Sequence, residues 1–211
     1  MPPLYAHDPF LALHQAMQSR WLDLPAALLS TACEGWALAL LGLVSFGSLE
    51  RHAKNLAAAF LPFALALIAS GALVQEVKDL VATPRPLAVY GPEQVRVGLE
   101  PLYMFGFPSG HSSAVGTFAA YAALVYGRRV RWVIALMVLG GLSRVYVGAH
   151  WVADVVGGWA LGALLGILAY ALAVWASPGG HLAVLRRTYA RKAGDGQRVP
   201  AGAAPEVPRG P

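Results

Sequence analysis

Charge is scarce in this chain. Of its 211 residues only 13% are Asp, Glu, Lys or Arg, about half the usual share of a soluble domain, while 57% are hydrophobic. A water-facing surface cannot be covered with so little charge, and the bilayer is the expected solvent. Cysteine is almost absent: Cys33 stands alone, which excludes an internal disulfide and any cysteine metal cluster within the chain. The opening MPPLYAHDPFLALHQAMQSRWLDL has neither a basic start nor a continuous apolar stretch, so a cleaved secretion signal is not expected. The net charge of +5 is not gathered into a recognition helix or an aromatic-interleaved stripe, and nucleic acid is excluded as a partner. No repeat of fixed period is present, which argues against a solenoid.

What the chain has in abundance is long apolar runs bounded by charge, Pro or Gly. They predict an all-α, polytopic membrane bundle with five spanning helices near residues 25–47, 57–78, 111–127, 132–148 and 151–176. Asp8-Pro9 reads as a helix start, with Phe10, Leu13, Met17 and Trp21 near one face, so residues 1–24 are expected to form an interfacial segment. Residues 25–176 form the membrane domain, and residues 177–211 a basic tail rich in Pro, Gly and Ala.

Arg51, Lys54, Arg128, Arg129, Arg131 and the basic residues of the tail fall on one side if the helices alternate. The positive-inside rule makes that side, with the C-terminus, cytoplasmic. The 79–110 connection and the 149–150 turn then face the periplasm or outer surface, and the protein is expected in the inner (plasma) membrane. Gly158, Gly162 and Gly166 form a small-residue stripe suited to close helix contact. The 87–107 stretch is unusually apolar for a connection, with Tyr90, Leu99, Leu102, Tyr103, Met104, Phe105 and Phe107. It suits either a loop dipping into the interface or one packed on helix ends.

Three polar clusters interrupt these helices, where ionisable groups are costly: Lys78 to Pro86, Pro108 to His111, and Ser143-Arg144 continuing to His150 and Asp154. The alternation of spans places all three at one membrane face. Lys78, Arg85 and Arg144 offer the cations that a phosphoryl group requires, two of them as bidentate guanidinium forks. Ser109 and Gly110 stand at a helix N-terminus, whose free N–H groups bind anions. His111 beside them can protonate a leaving oxygen. His150 and Asp154 are one helical turn apart, so the carboxylate can fix the imidazole tautomer and free the other ring nitrogen to attack phosphorus.

These segments carry Lys-x6-Arg-Pro (Lys78–Pro86), Pro-Ser-Gly-His (Pro108–His111) and Ser-Arg-x5-His-x3-Asp (Ser143–Asp154), and the chain resembles the phosphatidic acid phosphatase type 2 superfamily over about residues 57–176. The resemblance implies phosphate binding by Lys78, Arg85, Ser109, Gly110 and Arg144, acid catalysis by His111, nucleophilic attack by His150 and orientation by Asp154. It further implies a lipid phosphatase with no metal or other cofactor, acting on a phosphorylated lipid in the bilayer. Isoprenoid carrier diphosphate, phosphatidylglycerol phosphate and phosphatidic acid are the substrates it suggests. Many relatives have six spans, and here the N-terminal segment stands in for the first.

Other readings of the same residues are transfer of the phosphoryl group to a lipid or sugar acceptor, and a non-catalytic lipid or anion carrier. A metal held by His111, His150 and Asp154 is disfavoured because three neighbouring cations would repel it. The resemblance extends to vanadate-dependent haloperoxidases, against which the membrane spans argue. Glu34 reads as a structurally paired or hydrated acid. His7, His14, His52 and His181 read as interface or solvent residues, Trp21, Trp132, Trp151 and Trp175 as interfacial anchors, Trp36 and Trp159 as packing, and Tyr146 as pocket lining or packing.

Overall fold

A computed structural model describes residues 5–97, 101–177 and 179–182 of the chain. Most of the basic tail, and Leu99 of the apolar connection, lie outside these residues. All regular structure among them is helical: α1 (Phe10–Met17), α2 (Arg20–Ala32), α3 (Gly35–Leu49), α4 (Ala53–Val81), α5 (Pro86–Tyr90), α6 (Gly110–Tyr126), α7 (Trp132–Tyr146) and α8 (Val152–Ala176), with a 3₁₀ turn over Gly127–Val130.

Local chemistry sets the boundaries. α4 runs for 29 residues and stops where Ala82 turns into the left-handed region and returns its N–H to the Lys78 carbonyl. Pro84 and Pro86 follow and cannot extend it. The expected span near 25–47 is two helices, α2 and α3, meeting at 76°. Glu34 leaves the helical region at the junction (φ −70°, ψ 149°), and its carboxylate accepts the Trp36 indole N–H at 2.6 Å. The expected boundary at residue 24 therefore falls inside α2.

Among the described residues, Ala53–Tyr90 and Val152–Ala176 are long and apolar enough to cross a bilayer, and the bent α2–α3 pair qualifies as a third span if taken together. α6 and α7, with 17 and 15 residues, reach only about 25 and 22 Å, against about 30 Å of hydrocarbon. By length and composition the described residues hold two complete spans, or three with the bent pair, and the expected count of five is not confirmed.

α6 is the central helix. Its small and hydroxylated residues Ser112, Ser113, Ala114, Gly116, Thr117 and Ala119 let neighbours approach from several sides. The closest is α8, along the expected glycine stripe. A Cβ at Gly158 would stand 2.5 Å from the Ser109 carbonyl oxygen, at Gly162 1.9 Å from that of Ser113, and at Gly166 2.6 Å from that of Thr117. From the opposite side, a Cβ at Gly116 would stand 2.9 Å from the Trp159 carbonyl oxygen. On the α4 side the buried hydroxyls are paired: Ser70 Oγ and Ser113 Oγ lie 2.7 Å apart, and the Tyr121 hydroxyl donates to the Ala59 carbonyl at 2.8 Å. Phe46, Phe63 and Phe118 fill the remaining space with ring contacts of 5.0–6.0 Å.

The bundle has two chemically distinct ends. At one, Glu50 after α3 accepts from the Tyr126 hydroxyl at 3.1 Å and pairs with His181 at 2.8 Å, so the arginine-bearing 127–131 turn and the 50–54 connection lie together. At the other end α4 finishes and α8 begins, and α1 lies over the end of α7. His14 of α1 is fully enclosed rather than interfacial: its Nδ1 donates to the Val145 carbonyl at 3.0 Å, and its Nε2 accepts the Arg96 N–H at the same distance.

Trp21 and Trp175 are exposed near helix ends, as anchors would be. Trp36 is exposed rather than packed, and Trp151 is wholly buried rather than interfacial. Trp159 packs against the core. Tyr146 is a packing residue, its hydroxyl at 2.6 Å from both Ser19 O and Asp23 Oδ1.

The α6–α8 approach predicts opposite signs for two Gly→Ala changes. Gly162→Ala lowers the thermal unfolding midpoint in detergent by several degrees or prevents folding. Gly71→Ala, where no atom lies within 4 Å of the added carbon, leaves the midpoint unchanged or raises it through a helix preference of about 1 kcal/mol.

Candidate active site

Every residue that the sequence assigns to the site belongs to the same end of the bundle, on five segments. Lys78 comes from the last turn of α4, Arg85 from the link into α5, Ser109 to His111 from the start of α6, Arg144 from the last turn of α7, and His150 and Asp154 from the turn into α8.

His150 is fixed at both ring nitrogens. Nδ1 lies 3.2 Å from Asp154 Oδ2, and Nε2 lies 3.3 Å from an Arg85 terminal nitrogen. A guanidinium can only donate, so Nε2 is the acceptor and the proton sits on Nδ1, facing the carboxylate. Burial first, and then the charges of Arg85, Arg144 and Lys78, push the His150 pKa well below the ordinary imidazole value, which keeps the ring neutral. Asp154 Oδ2 also accepts the Trp151 backbone N–H at 3.1 Å, closing the first turn of α8 around the carboxylate.

Arg85 organises the surrounding backbone. Its Nε donates to the Met104 carbonyl at 2.8 Å, and its terminal nitrogens donate to the carbonyls of Ala149 at 2.8 Å and Phe105 at 3.2 Å. Its own N–H goes to the Tyr103 carbonyl at 2.8 Å. Lys78 Nζ donates to the same Phe105 carbonyl at 2.7 Å. Phe105 has a φ of 60°, unusual for a bulky side chain, and this turns its carbonyl toward the two cations. The backbone of the apolar connection packs on the site, as the second of the two expected readings has it, while Leu102, Tyr103, Met104 and Phe105 expose their side chains.

Arg144 is buried, contacts the Ser30 hydroxyl of α2 through one terminal nitrogen, and has an Nε without a partner among the described residues. Ser109 caps α6, its Oγ accepting from the Ser112 hydroxyl at 3.0 Å and from the Ser112 N–H at 3.4 Å. The Ser109 N–H is already given to the Asp154 carbonyl at 3.0 Å, so the N–H groups that helix geometry leaves over are those of Gly110 and His111. His111 lies in the field of Arg144, Lys78 and Arg85. A Cβ at Gly110 would meet only Val74, at an ordinary 3.6 Å, so packing alone does not demand glycine there.

Several contributors carry no signal in the three clusters. Gly106 is one: an added Cβ would stand 3.0 Å from Asp154 Oδ2 and 3.3 Å from Thr83 Oγ1. Trp151 is another, its indole donating to the Pro84 carbonyl at 2.9 Å. Tyr5 and Asp8 also reach the site, Tyr5 donating to Asp154 Oδ1 at 2.8 Å. Gly106 and Trp151 adjoin motif residues and were accessible on that ground; Tyr5 and Asp8, nearly 150 residues away, had no local signal. Among the described residues no group of three or more His, Cys, Asp or Glu converges as a metal site.

A membrane-embedded helical bundle with three cations, a free helix N-terminus and a carboxylate-held histidine at one end defines a class of anion-handling membrane protein. The profile of the PAP2 superfamily matches residues 59–178, more than half of the chain. The decaprenylphosphoryl-5-phosphoribose phosphatase of Mycobacterium tuberculosis is 30% identical over 171 residues, covering 75% of this chain and 87% of the relative. The chain belongs to the PAP2 superfamily.

Lipid A 1-phosphatase of Rhizobium johnstonii is 47% identical over a shorter stretch of 62 residues, 29% of this chain. The crystal structure of Aquifex aeolicus LpxE superposes with a TM-score of 0.63 at 25% identity, covering 76% of this chain and 91% of that one. The chain spans from 25% to 44% of the length of several other curated relatives that it matches.

The environment of His150 predicts its titration. An ordinary exposed imidazole is half protonated near pH 6.5; a lowered pKa keeps His150 neutral there, and protonation begins only as the pH falls further. In ¹⁵N-histidine NMR of the protein in micelles, the His150 signals, identified by their loss in His150→Ala, stay in the neutral form at about pH 6.5.

Proposed function

We propose that this protein hydrolyses a lipid phosphomonoester or diphosphate through a phosphohistidine intermediate. The observation that carries the reading is the two-sided hold on His150: Asp154 accepts the hydrogen bond from Nδ1–H while Nε2 stays unprotonated among Arg85, Lys78 and Arg144.

In the proposed reaction the substrate phosphate is received by these three cations and by the Gly110 and His111 N–H groups. The Nε2 lone pair attacks phosphorus, a P–N bond forms and the P–O bond to the leaving group breaks. His111 delivers its proton to the departing oxygen, the bound phosphate supplying the negative charge beside which a protonated imidazole can stand. Water then attacks the phosphohistidine, His111 takes a proton from it, the P–N bond breaks, and inorganic phosphate leaves with His150 regenerated. Asp154 holds the ring and stabilises the positive charge that develops on it. The chemistry is complete with the chain's own groups and assigns no step to a metal.

The lipid part of the proposal rests on the apolar side chains exposed around the site, Leu80, Leu102, Tyr103, Met104 and Phe105, and on relatives named for lipid A, undecaprenyl diphosphate and phosphatidylglycerophosphate. The clustering of basic turns at the opposite end supports a periplasmic or outer-face site, an inner-membrane location and a cytoplasmic C-terminus.

The test is phosphate release from a panel of isoprenoid diphosphates, phosphatidylglycerol phosphate, phosphatidic acid and lipid A in detergent, with chelator present. At least one is hydrolysed, and His150→Ala lowers turnover by at least about a thousandfold. Full activity in His150→Ala sinks the mechanism, loss of turnover on chelation sinks its independence of metal, and loss of free phosphate when a lipid or sugar acceptor is added, with the phosphoryl group recovered on the acceptor, reassigns the protein as a transferase. Gly110→Ala leaves the unfolding midpoint within about a degree, because its added carbon has room, yet lowers kcat/KM at least about tenfold by intruding on the phosphate seat.

A further inference from the structure

The carboxylate of Asp154 has two oxygens with different tasks. Oδ2 serves the site, taking the His150 Nδ1 proton and the Trp151 N–H. Oδ1 is held from outside the three motif segments, by the hydroxyl of Tyr5 at 2.8 Å. Tyr5 is completely buried, its ring stacked on that of Trp151 with centroids 4.5 Å apart and planes 12° from parallel. Burial raises its phenol pKa well above the ordinary value, so the group remains an O–H donor at any physiological pH.

The segment that carries Tyr5 is tied to the same turn of α8. Asp8 Oδ2 accepts the Ala153 N–H at 2.8 Å and Asp8 Oδ1 that of Val152 at 3.2 Å, supplying acceptors for free donors at the start of the helix. Phe10 packs edge-on against Trp151 with centroids 5.5 Å apart. The N-terminal segment therefore grips the histidine–aspartate turn at three points: the carboxylate, the helix end and the indole.

We infer that Tyr5 is a positioning residue for the reaction, fixing the rotation of the Asp154 carboxylate so that Oδ2 alone faces His150 and holds the Nδ1–H side of the ring while Arg85 occupies Nε2. The inference rests on the proposed nucleophilic role of His150. Without the hydroxyl, Oδ1 is left without its buried donor and the carboxylate can turn to recover one elsewhere, which loosens the hold on the imidazole. The effect is on the ring that attacks, not on the cations that receive the phosphate, so it falls on kcat rather than KM.

The decisive variant is Tyr5→Phe, which keeps the stacked ring and its burial and removes one oxygen, so the fold is retained. Two measurements are made on full-length protein in micelles: steady-state hydrolysis of the best lipid phosphate, and ¹⁵N-histidine NMR with His150→Ala as the assignment control. Expected are a roughly tenfold fall in kcat, the scale of one lost charge-assisted hydrogen bond, with KM within about twofold. The His150 Nδ1–H signal shifts or broadens as its hydrogen bond to the carboxylate loosens. Wild-type kcat together with an unchanged His150 Nδ1–H signal in Tyr5→Phe overturns the inference, even if the unfolding midpoint drops. A changed Nδ1–H signal in a protein that releases phosphate from no lipid upholds the link from Tyr5 to His150 and sinks the phosphatase reading instead.

Discussion

The backbone of α6 lies directly on the glycine face of α8, and the geometry of the site follows from that approach. With no Cβ at Gly158, Gly162 and Gly166, the Ser109, Ser113 and Thr117 carbonyls of one helix reach the main chain of the other. The approach fixes the relative height of the two helices, and at their shared end it brings Ser109 N–H to the Asp154 carbonyl at 3.0 Å. The N-terminus of α6 and the turn that holds the histidine are thereby joined by backbone, before any side chain of the site is considered. In a bilayer this matters more than in water, because lipid gives helices little hydrophobic reason to associate and close backbone packing must do so.

A second constraint acts through charge. Arg85 and Arg144 are almost fully buried and Lys78 adds a third positive group, an arrangement that is unfavourable without compensation. The compensation is mostly dipolar: carbonyls of Met104, Phe105 and Ala149 and the hydroxyl of Ser30. Asp154, the buried acid, is turned toward His150, Tyr5 and the Trp151 backbone N–H. The cations are therefore left without a full negative charge among their direct hydrogen-bond partners, which is the condition under which an anion is drawn in.

How much of this was legible beforehand depended on range. Three motifs within short stretches assign eight residues to one end of the bundle, because helical period and alternation of spans are local properties, and the glycine stripe announces a helix contact by its spacing alone. What was hidden depended on contacts distant in sequence or on backbone geometry. The 76° break at Glu34 interrupts what composition reads as one continuous run. Trp151 looked like an anchor because it sits at a helix end, yet the N-terminal segment covers it. His14 and Tyr5 are ordinary residues of an amphipathic-looking start, and only the folded chain shows that they face Val145 and Asp154. The positive φ of Phe105, which aims a carbonyl at two cations, has no side-chain signature.

On the proposed reading, that carbonyl makes anion binding at Lys78 and Arg85 an exchange rather than an addition. Arg85 has five N–H donors, and four of them are engaged by Met104, Ala149, His150 and Phe105. The polypeptide is thus a tethered competitor for its own cations, present at an effective concentration that no free ligand escapes. A neutral carbonyl is a weak rival to a phosphate dianion and a fair one to a singly charged or strongly hydrated ion. By reciprocity, whatever displaces it loosens the 103–105 segment by the same free energy that the segment withholds from the ligand. Discrimination among anions is in this sense written into the main chain as well as into the side chains of the pocket.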